Sequence, residues 1–137
     1  MMPFVVDASV SVCWFMPDER HAIADAALRR IRLDPAVTSV LWWYELRNVL
    51  IVAERRGRLD GAKTARVLRL LGGLAVATDA DVEEEALTQL ARRYRLTVYD
   101  AAYLELALRK RYPLATLDVA LSIAAQAEGV PLIDEGG

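Results

Sequence analysis

The apolar runs constrain this chain more than anything else in it. They are short, they recur, and they end or break at carboxylates. Phe4-Val5-Val6 stops at Asp7. Leu96-Thr97-Val98-Tyr99 stops at Asp100. Leu114-Ala115-Thr116-Leu117 stops at Asp118. Leu41-Trp42-Trp43-Tyr44 is interrupted by Glu45. Runs of this length, separated by stretches of helical periodicity, read as strands joined by helices, and strands of that kind pair in parallel. In a parallel sheet the carboxyl ends of the strands share one edge, which is where open α/β sheets bind their ligands.

A pass along the chain places the elements. Pro3 to Val6 reads as a strand and Ser9 to Met16 as a short helix stopped by Pro17. A helix beginning at Asp18 or Glu19 carries Ile23, Ala26, Ala27, Arg30 and Ile31 at helical spacing. After the Asp34-Pro35 turn, Ala36 to Val40 is a strand and Leu41 to Arg56 a long helix ended by Gly57. Asp60 caps a helix that runs to Leu71 and stops at Gly72-Gly73. Leu74 to Val76 is a third strand. Asp81 to Arg93 is a helix with Glu83, Glu84 and Glu85 at its start and Arg92 and Arg93 at its end, the charge order a helix dipole favours. Leu96 to Val98 is a fourth strand, followed by a helix from Tyr99 or Asp100 to Lys110. Leu114 to Thr116 is a fifth strand, Asp118 to Glu128 a helix closed by Gly129, and Val130 to Ile133 an edge strand. The tail from Glu135 is expected to fray. Crossovers between such strands are right-handed.

The chain has 137 residues, of which 55% are hydrophobic and 26% charged. That is globular composition, and the length suits one domain spanning residues 1–137. A net charge of −2 gives no global argument for nucleic acid. The basic residues are nearly all Arg, with Lys only at positions 63 and 110. Arg grips phosphate in a two-pronged fork, although an Arg- and Ala-rich chain also reflects a GC-rich genome. Cys13, the one cysteine, excludes an internal disulfide and is expected as a buried, inert thiol. His21, the one histidine, is expected to be solvated near a helix start. With no second His and no Cys cluster, zinc is not expected. Asp7 and Ser9 break any signal-peptide pattern, and the apolar region from Leu41 to Ala53 is too short and too polar to span a bilayer. The expected location is the cytoplasm.

Each acid has an ordinary reading. Asp7, Asp100 and Asp118 all precede helices, where Asp caps free backbone N–H groups. Glu45 resists that reading, because it sits inside an apolar helix beside Trp42, Trp43, Leu46 and Val49, and a buried, unpaired Glu is costly. Asn48 lies three residues on, on the same helical face. Two carboxylates about 5 Å apart at an effective dielectric near 20 repel by roughly 3 kcal/mol. Several such pairs rival the net stability of a domain, about 5–15 kcal/mol. A cluster of four therefore requires a cation or shared protons. All-oxygen ligands select Mg²⁺ or Mn²⁺.

The ordered strings around these residues resemble the PIN-domain nucleases, and within them the VapC-type toxins of toxin–antitoxin pairs. The matching segments run from Phe4 to Ser9, Leu41 to Leu50, Leu96 to Ala107 and Leu114 to Asp118, with the following helix through Gly129-Val130. The resemblance implies a three-layer α/β/α fold around a central, mostly parallel sheet. It implies a Mg²⁺- or Mn²⁺-dependent endoribonuclease hydrolysing RNA phosphodiester bonds. Its metal-binding and catalytic set would be Asp7, Glu45, Asp100 and Asp118, with Ser9, Asn48 and Thr116 as small polar supports. It implies a cognate VapB-like antitoxin and a homodimer. One feature departs from some relatives: Val119, Ala120 and Leu121 follow Asp118 where a further acid can stand, which bears on a second metal. Arg92-Arg93-Arg95 or Arg55-Arg56-Arg58 could hold flanking phosphates. Trp14, Phe15, Trp42 and Trp43 are large rings that either fill a core or mark a partner surface.

Two rivals differ in kind. A receiver-like phosphoacceptor domain needs paired acids after its first strand and a Lys after a late strand, and neither Lys63 nor Lys110 follows a strand. A catalytically inactive PIN-fold module, binding RNA or protein without cutting, would have no need to keep all four acids.

Overall fold

The computed structural model describes residues 2–135. Its elements run β1 (Phe4–Val6), α1 (Ala8–Val12), a 3₁₀ turn (Pro17–Glu19), α2 (Ala22–Ile31), β2 (Ala36–Ser39), α3 (Val40–Arg55), α4 (Gly61–Gly72), β3 (Val76–Asp79), α5 (Glu84–Tyr94), α6 (Val98–Lys110), β4 (Leu114–Ala115) and α7 (Val119–Ala127). The four strands form one sheet in the order β3-β2-β1-β4, every pair parallel. β1 is central, with Val5 opposite both Val37 and Leu114.

The strand alternation of side chains divides the core in two. Phe4 and Val6 face one side, where they pack with Ala24, Ala27 and Ile31 of α2 and Val10 of α1. Val5 faces the other side, into a larger cluster with Leu46 and Leu50 of α3, Val67 and Leu71 of α4, and Tyr103 and Leu104 of α6. The sheet is thus covered on both faces, as all-parallel sheets require. In α6, Ala101 through Ala107 are all buried, so this helix is held on nearly every side. Its one buried acid, Glu105, is 2% exposed and is gripped by Arg109 at 2.8 Å, while Arg109 also holds Asp79 at 2.9 Å. That network ties the end of β3 to α6.

Caps fix several boundaries. Ser39 accepts from the Leu41 N–H at 3.2 Å and starts α3, and Asp60 accepts from the Lys63 N–H at 2.8 Å and starts α4. Gly57 takes φ 73° just past α3, a conformation that suits a residue without Cβ.

The structure corrects the sequence reading at several elements. Leu96 to Val98 is not a strand. Arg95 turns the chain with φ 53°, Thr97 caps α6 by accepting from the Asp100 N–H at 3.1 Å, and Val98 is already helical. Capping geometry overrides the β-branched composition there. The third strand is Val76–Asp79 rather than Leu74–Val76, because the Leu74 N–H still closes the end of α4 on the Leu71 carbonyl. α5 starts at Glu84 rather than Asp81, since the Asp79 carboxylate takes the Asp81 N–H and holds that stretch outside the helix. Asp18 and Glu19 belong to the separate 3₁₀ turn, and α2 starts at Ala22 with His21 as its cap. Val130 to Ile133 contributes one parallel bridge, Leu132 to Leu114, and no strand. Cys13 is half-buried rather than buried; desolvation raises its pKa, which keeps the thiol protonated.

Candidate metal centre

The end of β1 delivers Asp7 into the start of α1, where it serves as N-cap. Asp7 is 4% exposed and densely bonded. Its Oδ1 accepts from the Ser9 hydroxyl at 2.7 Å and the Val10 N–H at 3.1 Å, and its Oδ2 accepts from the Thr116 hydroxyl. Those supports are themselves anchored. The Ser9 oxygen accepts from the Leu117 N–H at 2.9 Å, and the Thr116 oxygen accepts from the Asp118 N–H at 3.0 Å. The carboxyl ends of β1 and β4 are thereby stitched together through side chains. Asp118 closes this half, capping α7 by accepting from the Leu121 N–H at 2.8 Å.

The other half rides on helices. Glu45 lies in the second turn of α3, half-buried, with Oε1 accepting from the Tyr103 hydroxyl at 2.6 Å. Asp100 lies in the first turn of α6, also half-buried. Below them, the Ser11 hydroxyl donates to the Asp7 carbonyl at 3.1 Å and accepts from the Trp42 indole at 2.8 Å, pinning α3 to α1.

Electrostatics links the four acids in a chain, each to the next. Burial pushes the Asp7 carboxyl up to about 6 against the bonds of Thr116, Ser9 and Val10, with the charge of Glu45 adding to the rise. Burial also raises Glu45, and Asp100 adds to it. Burial raises Asp100, and Asp118 adds to it. Each carboxylate is felt by the next. Burial, then Glu45, raises the Tyr103 phenol, so it remains a proton donor at any working pH. Among the described residues, none of the four acids has an ion-pair partner.

The donor chemistry fits a hard divalent cation: oxygens only, with Asp7, Glu45 and Asp100 each pushed up in part by a neighbouring carboxylate. The cage is not closed, however. Among the described residues, no group of three or more His, Cys, Asp or Glu side chains forms a ready metal site. The four acids neighbour one another without converging on a single point.

The sequence-predicted residues sort accordingly. Asp7, Glu45, Asp100 and Asp118 follow one another as pairwise neighbours without forming one group, and Ser9 and Thr116 bind Asp7 directly. Asn48 does not join them. It is exposed and lines a different hollow with Val12, Met16 and Glu19. Sequence reasoning missed Tyr103, although it stands three residues after Asp100, where a helix puts both on one side. It also missed Ser11 and Trp42 as the strut beneath Asp7. The proposed phosphate-holding arginines are partly committed elsewhere: Arg93 pairs with Glu128 at 2.8 Å and Arg58 with Asp18 at 2.6 Å.

Comparison with known proteins agrees with this picture. A family model described as PIN domain matches residues 4–127. Over 121 residues the chain is 36% identical to Ribonuclease VapC3 of Pyrobaculum aerophilum, covering 85% of this chain and 90% of that one. The crystal structure of PAE2754 from Pyrobaculum aerophilum superposes with a TM-score of 0.68 at 26% identity, covering 90% of this chain and 84% of the other. FitAcB from Neisseria gonorrhoeae superposes with a TM-score of 0.70 at 17% identity, covering 98% and 99%. At that identity the likeness speaks to the fold alone.

Proposed function

The chain belongs to the PIN-domain family, and on that premise we propose that it is a VapC-type endoribonuclease, the toxin of a toxin–antitoxin pair, hydrolysing RNA phosphodiester bonds with Mg²⁺ or Mn²⁺. The observation that carries the reading is a chain of four carboxylates, in which Glu45 acts on Asp7, Asp100 on Glu45 and Asp118 on Asp100, without an ion-pair partner among the described residues, beside the carboxyl edge of a parallel sheet. The ribonuclease relative, 36% identical over most of the chain, supports the same activity.

Asp7, Asp100 and Asp118 would hold the cation, with Glu45 beside them. A divalent ion held there would make water a better nucleophile and would offset charge on the phosphorus. The protein supplies the rest. Ser9, Thr116 and the Val10 N–H fix both oxygens of Asp7, so its orientation is set before any ligand arrives. Tyr103 occupies Oε1 of Glu45, leaving Oε2 to orient the attacking water and take its proton. Thr116 spans Asp7 and the Asp118 backbone and keeps the two acids in register.

The same reading carries a VapB-like antitoxin as partner, a homodimer, a single catalytic domain and action in the cytoplasm. No helix among the described residues is long and apolar enough to cross a membrane.

The decisive experiment is cleavage of single-stranded RNA with Mn²⁺ or Mg²⁺. Asp7→Asn and Asp100→Asn should each abolish it while circular dichroism stays unchanged. Undiminished cleavage by both variants, or full activity in excess chelator, would falsify the mechanism.

A further inference from the structure

Two large rings stand out of the surface immediately before Glu45. Trp43 is 50% exposed and Tyr44 68%, although their neighbours Trp42 and Leu46 on the same helix are buried. The two rings meet edge to face, 5.0 Å apart and inclined by 71°. The Arg47 guanidinium lies 3.8 Å from the centre of the Trp43 ring and donates to the Trp43 carbonyl at 3.1 Å. Arg47 has no carboxylate partner among the described residues, whereas Arg93 has one and Arg58 and Arg109 have two each.

These three side chains help line a hollow of about 440 Å³, together with Thr38, Val76 and Thr78. That volume lies in the range of small-ligand sites, roughly 300–1,000 Å³. None of the four acids lines the hollow, and Thr38 of β2 is its link to the chain that leads into Asp7. Thr38 donates to the carbonyl of Val6 at 2.7 Å, one residue before Asp7.

We propose that Trp43, Tyr44 and Arg47 form a stacking subsite for one unpaired nucleobase of single-stranded RNA, beside the phosphodiester bond that is cut. This rests on the ribonuclease reading above and adds to it a binding site and a positional preference. An occupant of the hollow must offer a flat π surface to the rings and an anion to the guanidinium. A nucleotide carries both on one unit, and single-strand binders commonly combine aromatic stacking with Arg. The acid cluster repels RNA, so a cation close by is needed to seat the chain. A purely apolar partner surface would bury the Arg47 charge without a counter-ion, at a cost.

Cleavage kinetics on a short unstructured RNA test the subsite with Trp43→Ala, Trp43→Phe and Arg47→Gln. Stacking of one base contributes about a tenfold factor or more. Trp43→Ala should therefore raise KM at least about tenfold, with the loss concentrated in KM rather than kcat. Trp43→Phe should recover most of it. Removing the base at one position next to the cut should cost the parent protein a similar factor and cost Trp43→Ala little further.

A second measurement is independent of catalysis. In an Asp7→Asn background, fluorescence anisotropy with the same RNA should rank the variants in the same order. Should Trp43→Ala lose its fold by circular dichroism, Arg47→Gln carries the same comparison. Equal KM and equal binding for variant and parent overturn the proposal. So does a Trp43→Ala protein that changes from dimer to monomer in light scattering with RNA binding intact, which assigns the face to a second copy of the chain. A protein that binds RNA through Trp43 but never cuts it supports the subsite and overturns the nuclease reading.

Discussion

The two halves of the acid cluster are built differently. The strand half, Asp7 with Asp118, is stitched by Ser9 and Thr116 into the ends of β1 and β4, and both oxygens of Asp7 are committed. The helix half, Glu45 with Asp100, rides on α3 and α6 and is joined across them by one phenol hydrogen bond, from Tyr103 to Glu45. The difference explains why four neighbouring acids do not form a closed cage. One half is fixed in place by backbone and hydroxyl donors; the other carries a single side-chain bond, Tyr103 to Glu45. A site divided in this way takes its precision from the sheet and its adaptability from the helices.

The largest effect should come from the fixed half. Asp7→Asn should cost more activity than the 10–100-fold typical of residues that merely support a metal ligand. The same change should stabilise the protein without metal. Asp7 has a folded-state pKa near 6 against an ordinary 3.8, so the folded state holds its proton to higher pH than the unfolded state. Stability from this group is full below about pH 4, falls as pH rises through 6, and levels off above. A shift of that size corresponds to about 3 kcal/mol. Urea titrations in chelator at pH 4.5 and pH 8 should show the parent losing stability toward pH 8 and Asp7→Asn losing much less. Parallel pH profiles for the two proteins would mean that the fixed half is not strained by its charge.

Thr116→Val comes next. It keeps the shape but removes the donor to Asp7 and the acceptor for the Asp118 N–H, and metal affinity by calorimetry should fall about 10–100-fold. Tyr103→Phe, on the helix side, should do less. Glu45 loses one hydrogen bond but stays half-exposed to water, so a loss of about tenfold in kcat/KM is expected. If Tyr103→Phe proves more damaging than Thr116→Val, the contrast between the halves is reversed. Asn48→Ala should be the mildest, with stability within about 0.5 kcal/mol of the parent and unaltered metal affinity, since it touches none of the four acids.

Much of the strand half was legible in the sequence. Asp7 and Asp118 each follow an apolar run and open a helix, and both the run and the cap leave local signatures. The helix half was legible in identity but not in placement. Asp100 was read as following a strand, because Leu96-Thr97-Val98 has strand composition. Thr97 instead caps α6, and the left-handed turn at Arg95 leaves no room for a strand between α5 and α6. Asn48 was expected beside Glu45 because three residues bring a helical side chain near the same face. The remaining rotation of about 60° turns it toward α1. Tyr103 went unnoticed because its partner is decided by how α3 and α6 pack, which no local pattern encodes. Glu105 was hidden for a related reason: its burial is tolerable only because Arg109 reaches both it and Asp79.

The bond from the Leu117 amide to the Ser9 hydroxyl joins positions 108 apart in the chain. Such distant contacts form late, after the cost of closing a long loop has been met. A growing polypeptide therefore carries Asp7 out of the ribosome long before it possesses the threonine that aims it. On the proposed reading, the acid cluster would be complete only when nearly the whole molecule has been made.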